Sequence, residues 1–273
     1  MQANIRWTPP SGALGRLSER ARERAATLAS SLSDLKARSR EMESAPQFAT
    51  ALRRGANLAL IAEIKRESPS KGVINNTIIA AERAVLYATA GASALSILTE
   101  PSEFGGRSED LSDVRRHVRI PLIKKDFHVH LAQIWEARVL GASAALLIAR
   151  ALGPGELERF ADECRLAGIE PLVEVRSDDE LASAIASGAE VIGVNARDLE
   201  TLIIEPEVSA RLLPSIPTDR VRVAESGLTT VADVERAASM GADAVLVGSS
   251  LSASDDPDAT ARAFASVARQ RAP

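Results

Sequence analysis

The chain has 273 residues, of which 45% are hydrophobic and 26% are charged, and its formal net charge is −4. This balance is typical of a globular protein with a substantial core, and it excludes a largely disordered chain. No apolar run approaches the roughly 20 residues that cross a bilayer, and the first residues lack the apolar centre of a secretory signal. We therefore expect a cytoplasmic protein without a membrane partner.

The acidic net charge and the low aromatic content, 3% of residues, argue against a nucleic-acid partner and favour a small molecule. Cys164 is the single cysteine, so an intramolecular disulfide and a zinc cage of cysteines are both excluded. We expect Cys164 to be a small buried hydrophobic residue.

Lysine is scarce in this chain, at five of the 33 basic residues, and four of the five lie in two short motifs. Arginine keeps its proton near neutral pH, whereas the surroundings of a lysine can tune its ammonium group to release one. Lys65 and Lys125 are therefore candidates for proton transfer, although chance and solubility are an equally good account of any one lysine.

The first predicted element is a polar helix with a thin apolar stripe, "LGRLSERARERAATLASSLSDLKARS", which we expect to pack across one end of the domain. From about residue 59 onward, short apolar runs alternate with amphipathic stretches. The eight runs, in chain order, are "LALIAEI", "ALSILT", "IPLIK", "AALLIA", "PLVEV", "VIGVN", "VRVAES" and "AVLVG".

Glycines precede several of these runs and predict left-handed caps that end each preceding helix; they are Gly91, Gly141, Gly168, Gly188 and Gly241. Eight strand-then-helix units predict a single α/β domain, a closed (β/α)8 TIM barrel. Residues 1–50 would form an N-terminal helical extension, and residues 51–273 the catalytic barrel. A doubly wound open sheet is the alternative, but no G-x-G-x-x-G or Walker A pattern supports it.

In such a barrel, the carboxyl ends of the strands build the active site. Glu63 and Lys65 end the first strand two residues apart, so both side chains share the face opposite Leu60, Ala62 and Ile64. The third strand ends in "KKDF", where alternation lets only one of the two lysines face inward. Later strands also end in polar residues, which are Glu174, Asn195 followed by Arg197, and Glu225 followed by Ser226.

A single polar residue at a strand end is as often merely solvated as functional. Glutamates and lysines at the last inward position of several strands instead predict a catalytic site. The loops "ESGLTT" and "GSSLSASDDP" add Gly227, Gly248 and Ser249, where backbone N–H groups and a short helix starting at Ser249 favour a bound phosphate.

The two histidines of "HVH", His128 and His130, have no third metal ligand at a suitable spacing. A solvated or capping role is therefore expected, rather than a metal site. Phe104 and Phe127 are as suited to covering a ligand ring as to filling the core.

With these residues identified, the chain resembles indole-3-glycerol-phosphate synthase from about residue 10 to its end. The shared motifs, in family order, are "IAEIKRESPSKG", "ALSILTEPSEFGG", "KKDF", "PLVEV", "IGVNARDLETL", "VAESG" and "VLVGSSL". The resemblance implies a cofactor-free lyase of tryptophan biosynthesis, active as a monomer or homodimer. It would close the ring of 1-(2-carboxyphenylamino)-1-deoxyribulose 5-phosphate with loss of carbon dioxide and water.

The resemblance also implies residue roles. Lys125 matches the general acid, Glu174 the carboxylate of the dehydration step, and Lys65 a substrate contact and possible second acid. Glu63 and Asn195 complete the catalytic set. The implied binding residues are Ser68 and Arg197 for the carboxylate, Ser226, Gly227, Gly248 and Ser249 for the phosphate, and Pro69, Phe104, Phe127, Leu146, Leu199 and Leu246 for the aromatic ring. A lysine flanked by other cations tends toward a lower pKa, which would suit proton donation by Lys125.

Two departures from the family pattern stand out: "NNTIIA" follows "SKGVI", and Arg107 occupies a position where serine is common. Two other functions are compatible with a barrel. The related phosphoribosyl-anthranilate isomerase would be expected to use a cysteine, but Cys164 lies within a predicted helix. A phosphate-binding barrel without turnover is the second alternative, and the retained Lys65, Lys125 and Glu174 argue against it.

Overall fold

The computed structural model describes residues 7–270. Its strands are β1 (Ala59–Ile64), β2 (Glu67–Ser68), β3 (Gly72–Val73), β4 (Ala94–Leu98), β5 (Leu122–Lys125), β6 (Ala144–Ile148), β7 (Glu170–Val175), β8 (Val191–Asn195), β9 (Val221–Glu225) and β10 (Ala244–Val247). Its helices are α1 (Gly12–Ala29), α2 (Leu32–Ser39), α3 (Phe48–Arg53), α4 (Ala80–Thr89), α5 (Pro101–Phe104), α6 (Ser108–His117), α7 (Ala132–Val139), α8 (Glu156–Ala167), α9 (Asp178–Ala186), α10 (Pro206–Leu212), α11 (Val231–Ser239), α12 (Ser249–Ser252) and α13 (Pro257–Ala265).

Eight parallel strands close into a barrel in the order β1-β4-β5-β6-β7-β8-β9-β10. Closure is complete because β1 pairs with β4 on one side and with β10 on the other. The predicted (β/α)8 barrel is confirmed. The small antiparallel hairpin β2-β3 after β1 was not predicted, because its strands are too short to show an alternating pattern.

Alternation along the strands separates two apolar layers. In β1, Ala59 and Ile61 belong to the cluster inside the barrel, whereas Leu60, Ala62 and Ile64 pack with the surrounding helices. This is the arrangement that the spacing of Glu63 and Lys65 predicted. Since all six residues of β1 are buried, the polar side chain of Glu63 needs partners inside the barrel.

The predicted helix caps are also confirmed. Backbone φ is positive at all five glycines named from the sequence, between 70° and 101°. An L-residue with a Cβ avoids this left-handed region, so glycine allows each helix to end and the chain to turn directly into the next strand. Cys164 lies within α8 and is buried, as expected.

The prediction of one N-terminal helix is wrong. The structure has two helices, α1 and α2, which are separated at Ser30 and Ser31. The Ser30 hydroxyl donates to the Thr27 carbonyl, 2.8 Å away. Such local side-chain bonds compete with helix continuation. The third helix, α3, lies near the start of β7, where backbone N–H groups of Phe48 and Ala49 donate to the carboxylate of Glu170.

Within residues 7–270, no helix combines the length and apolarity that crossing a membrane requires.

Candidate active site

A cavity of about 180 Å³ opens at the carboxyl ends of the barrel strands. All 17 site residues named from the sequence line it. They are Glu63, Lys65, Ser68, Pro69, Phe104, Lys125, Phe127, Leu146, Glu174, Asn195, Arg197, Leu199, Ser226, Gly227, Leu246, Gly248 and Ser249. Convergence of polar and apolar side chains in one concave site is typical of small-molecule binding.

Lys125 is the centre of the polar floor. Its Nζ lies 3.1 Å from Oε2 of Glu174 and 2.9 Å from Oε2 of Glu225. The lysine comes from β5 and the two carboxylates from β7 and β9, so barrel closure brings together residues up to 100 positions apart. Of the two lysines in "KKDF", Lys125 is therefore the one that faces inward.

The prediction of a lowered pKa for Lys125 is wrong. Burial alone would lower the pKa of this ammonium, but the charges of Glu225, Glu174 and Glu63 together raise it above the ordinary value. The sequence argument assumed cationic neighbours because Lys124 is adjacent in the chain. Alternation places Lys124 on the other face of the strand, where its Nζ contacts Asp126 and Glu136.

Glu63 and Lys65 form a second ion pair in the cavity, 2.6 Å between Oε1 and Nζ. The Ser96 hydroxyl, from β4, donates to the other carboxylate oxygen of Glu63. Glu63 is almost fully buried, whereas the side chain of Lys65 keeps 16% of its surface exposed at the rim. Two lysines thus reach one cavity, each paired with a carboxylate that can accept its proton.

Asn195 is the last residue of β8, and Arg197 follows two residues later. Oδ1 of Asn195 accepts the backbone N–H of Arg197 at 2.9 Å, and Nη1 of Arg197 donates to the Leu202 carbonyl at 2.8 Å. These bonds hold the guanidinium at the cavity wall. Across residues 7–270, no hydrogen-bond partner is found for the buried hydroxyl of Ser68, which also lines the cavity. A ligand oxygen would satisfy that group.

The loops after β9 and β10, where the sequence predicts an anion site, both line the cavity. Ser226 and Gly227 have φ of 67° and 76°, a turn that exposes successive backbone N–H groups. α12 begins at Ser249, as expected, after its N-cap Gly248. A Cβ on Gly248 would overlap Oε1 of Glu63, with Cδ only 3.0 Å away, so only glycine lets this loop approach the first strand.

Apolar side chains form the remaining walls. The rings of Phe104 and Phe127 lie 6.3 Å apart between centroids at an interplanar angle of 44°, a tilted contact. Four more of the predicted residues, Pro69, Leu146, Leu199 and Leu246, line the same cavity. The site therefore combines an apolar slot with a polar floor around Lys125 and a rim formed by the loops after β9 and β10. Arg107 and residues 75–80, where the chain departs from the family pattern, do not line it.

Sequence reasoning did not place every lining residue in the site, and two of the omissions change how the cavity is understood. Glu225 was named only as a strand end, yet it holds Lys125 as closely as Glu174 does. A signal existed, because Glu225 pairs in register with Asn195 across β8 and β9, at the same level of the barrel. Leu17 of α1 also lines the cavity. The helical extension therefore covers the catalytic end of the barrel, which no local pattern in the helix indicates.

Buried charges next to the cavity anchor this extension. Oδ1 of Asp126 accepts from Arg24 of α1 at 2.8 Å, and Oδ2 accepts from Thr99. Burial would raise the pKa of Asp126, but the charges of Lys124 and Arg24 lower it to about 2. Asp126 thus stays ionised and joins α1 to the segment between the two cavity residues Lys125 and Phe127.

The predicted solvated or capping role is confirmed for His130 and is wrong for His128. Nδ1 of His130 accepts the backbone N–H of Ala132, which is a capping role. His128 is neither solvated nor capping, because it is 3% exposed, with Nδ1 2.7 Å from the Leu146 carbonyl. Burial, followed by the charge of Lys124, lowers the pKa of His128 to about 3, so a neutral ring donates this bond. Within the described residues, no cluster of three metal-ligating side chains occurs.

Glu225→Gln is expected to change how stability depends on pH. Burial raises the pKa of Glu225 to about 7, against the opposing charge of Lys125 and with the help of Glu174. A raised folded-state pKa stabilises the fold fully below the unfolded-state pKa, and this contribution is lost as pH rises through about 7. The free energy of unfolding of Glu225→Gln, relative to the parent chain, should therefore rise between about pH 5 and pH 8 in urea titrations.

The exposed residue Glu207, at the start of α10, gives a matched control. Glu207→Gln should show a constant difference from the parent chain over the same range. A constant difference for Glu225→Gln as well would contradict the raised pKa.

Most of the chain matches a known family. Residues 16–264 match the family model described as indole-3-glycerol phosphate synthase. A protein of that name from Nocardioides is 45% identical over 239 residues, which covers 88% of this chain and 92% of the relative. Indole-3-glycerol phosphate synthase 1 of Streptomyces coelicolor is 44% identical and covers 83% of this chain and 84% of the relative.

A relative of the same name from Opitutus terrae is 45% identical over 80% of this chain and 85% of its own length. Among solved structures, thiamine phosphate pyrophosphorylase from Pyrococcus furiosus superposes with a TM-score of 0.60 at 15% identity, over 77% of this chain and 94% of that one. At that identity, the likeness shows only the shared fold. The family model and the relatives together show more: this chain belongs to the indole-3-glycerol phosphate synthase family.

Proposed function

We propose that the chain closes the ring of 1-(2-carboxyphenylamino)-1-deoxyribulose 5-phosphate to give indole-3-glycerol phosphate, as a carboxy-lyase of tryptophan biosynthesis. The observation that carries the proposal is the Lys125 ammonium, held between Glu174 and Glu225 on the floor of a cavity with an apolar slot. A ring closure onto a carbonyl needs a proton donor at the carbonyl oxygen and a dry site for the aromatic ring.

In this proposal, Lys125 protonates the ribulose carbonyl while the aromatic ring carbon attacks it. Its raised pKa keeps it charged in the free protein. Proton transfer then depends on a substrate oxygen becoming more basic as the new bond forms. Glu174 handles the proton in the later dehydration, and Lys65, paired with Glu63, is positioned as a substrate contact and a second acid. Asn195 orients the substrate hydroxyls.

The binding residues fall into three groups in the same cavity. We propose that Ser68 and Arg197 bind the carboxylate, and that the loops with Ser226, Gly227, Gly248 and Ser249 bind the phosphate. The aromatic ring would occupy the slot formed by Pro69, Phe104, Phe127, Leu146, Leu199 and Leu246. Separate anion sites around an apolar slot match a substrate that has an anionic group at each end.

The proposal needs no cofactor, metal or nucleic acid, since the acids and bases come from the chain itself. We further propose a cytoplasmic enzyme, monomeric or homodimeric, with residues 1–50 as the extension and residues 51–273 as the barrel domain.

The direct test is to mix the purified chain with the carboxyphenylamino-deoxyribulose phosphate, without added metal or nucleotide, and to follow indole fluorescence. A signal that saturates with substrate supports the enzyme. If no indole fluorescence appears but calorimetry shows that the same compound binds, the result would instead support a phosphate-binding barrel without turnover.

Ser249→Asp is expected to raise KM at least about tenfold, because a carboxylate at the first position of α12 repels the phosphate. An acidic residue at a helix N-terminus favours the fold, so misfolding does not explain such a loss. Ser249→Asn has a side chain of the same size without the charge, and it should raise KM less. Equal KM values for Ser249→Asp and the parent chain would place the phosphate elsewhere.

A further inference from the structure

A second cavity, of about 140 Å³, adjoins the catalytic cavity. Both cavities share Glu174, Asn195 and Arg197 as wall residues, and Lys125 lines only the catalytic one. The side chain of Glu174 is 4% exposed, and its Oε2 contacts Lys125. Glu174 therefore stands between the ammonium of the proposed acid and the second cavity, which we call the adjoining cavity.

The adjoining cavity is polar and large enough for several water molecules. Helix α1 contributes only Leu14 to its wall. Its charged groups come from four other segments: Glu174 and Arg176 at the end of β7, Glu180 of α9, Arg150 after β6, and Arg197, Asp198 and Glu200 after β8. Two of the four acids are matched by an arginine, and Glu174 is paired with Lys125. Nη2 of Arg150 lies 3.1 Å from Glu200, and Nη1 of Arg176 lies 3.8 Å from Asp198.

Glu180 differs from those acids, because it takes part in no ion pair within residues 7–270. Its Oε2 accepts the backbone N–H of Arg176 at 2.7 Å. Burial is the main influence on Glu180 and raises its pKa. The charge of Glu174 acts in the same direction, and the hydrogen bonds with Arg176 and Ser177 and the charge of Arg150 only partly oppose it. A buried carboxylate outside an ion pair, beside a second carboxylate, holds a proton more readily than one paired with arginine.

The reaction proposed above consumes one proton per turnover. When the ring carbon loses carbon dioxide, the electron pair of the broken bond stays in the ring system. The carbonyl oxygen gains two protons and leaves as water, and one proton is lost from the carbon next to the ring nitrogen. One proton must therefore enter from solvent while substrate occupies the catalytic cavity and covers the open side of Lys125.

We propose that Glu180 and the adjoining cavity bring this proton to Glu174, which passes it on to Lys125. The inference rests on the proposed function. The adjoining cavity would still supply protons while substrate fills the catalytic cavity. Glu180 would then take part in proton transfer without contacting the substrate.

Glu180 has a structural role that the test must preserve. It lies in the first turn of α9, where its N–H donates to the hydroxyl of Ser177 at 3.2 Å. Glutamine keeps both this N–H and an oxygen for the Arg176 N–H. Glu180→Gln thus removes the exchangeable carboxyl proton while it retains the cap.

The experiment measures turnover of Glu180→Gln at fixed pH and ionic strength with increasing imidazole buffer. We expect kcat to fall at least about fivefold at low buffer and to recover as imidazolium supplies the proton, with KM unchanged. The parent chain should be insensitive to buffer, as should Asp179→Asn, which changes an exposed acid on the same helix.

Two outcomes would overturn the proposal. Turnover equal to that of the parent chain at every buffer concentration would mean that protons reach Lys125 by another route. A loss that imidazole does not restore would mean that Glu180 acts through structure alone. Absence of turnover in the parent chain is distinct from both, because it would contradict the proposed function itself.

Discussion

Lys125→Met is expected to lower kcat by about two to four orders of magnitude, the range that general acid catalysis contributes. Methionine fills a similar volume with an apolar chain, so the cavity keeps its shape. Glu174 and Glu225 lose the ammonium that lies 3.1 Å and 2.9 Å from them, and one of them should then take up a proton. Calorimetry with a product-like ligand should show binding close to that of the parent chain, because the lost interaction acts mainly in the transition state.

The neighbouring lysine provides the control. Lys124 is 1% exposed and contacts Asp126 and Glu136 on the other side of the strand. Lys124→Met removes one partner from the buried Asp126, which keeps Arg24, and one from the partly buried Glu136. Breaking a buried ion pair in this way costs up to about 3–5 kcal/mol of stability. It should therefore lower the unfolding midpoint and keep turnover per folded molecule within a few-fold. Near-normal turnover in Lys125→Met would refute its role as the acid.

Much of the fold followed from the sequence because barrel strands and their caps have local signals. The apolar runs and the glycines with positive φ each reflect a requirement of a few consecutive residues. The hairpin β2-β3 and the break between α1 and α2 were missed for the opposite reason. Each strand of the hairpin has two residues, and the break between the helices also has two, which is too few for a periodic pattern.

Site composition was predicted better than site electrostatics. Strand ends that converge on one face of a barrel bring Glu63, Lys125 and Glu174 together whatever the register. The pKa of Lys125 depends instead on which side chains point at it across the barrel. The adjacent Lys124 is near in sequence but lies on the other face, whereas Glu225 is 100 residues away and in contact. The local sequence therefore does not show which of Lys124 and Glu225 lies closer to the ammonium group of Lys125.

Gly193→Ala is expected to reduce activity through Glu225 without changing any group that can exchange a proton. Gly193 lies in β8 beside the side chain of Glu225. A Cβ there would overlap Oε1 of that carboxylate, with Cδ at 3.2 Å and a methyl group of Leu172 at 3.4 Å. Glu225 is buried and lines the catalytic cavity, so its carboxylate must rotate away from the new methyl group into that space, which changes its contact with Lys125. We expect kcat to fall at least about tenfold, with a stability cost of about 1–3 kcal/mol for the overpacked core.

A double-mutant cycle separates this effect from general damage to the strand. Glu225→Ala empties the space that the new methyl group would enter, so adding Gly193→Ala to that variant should cost little further stability or activity. The two substitutions would then be strongly non-additive, as expected when one acts only through the other. If Gly193→Ala is equally costly in both backgrounds, the methyl group collides with Leu172 or the backbone instead, and the glycine serves packing of the barrel rather than placement of the carboxylate that holds Lys125.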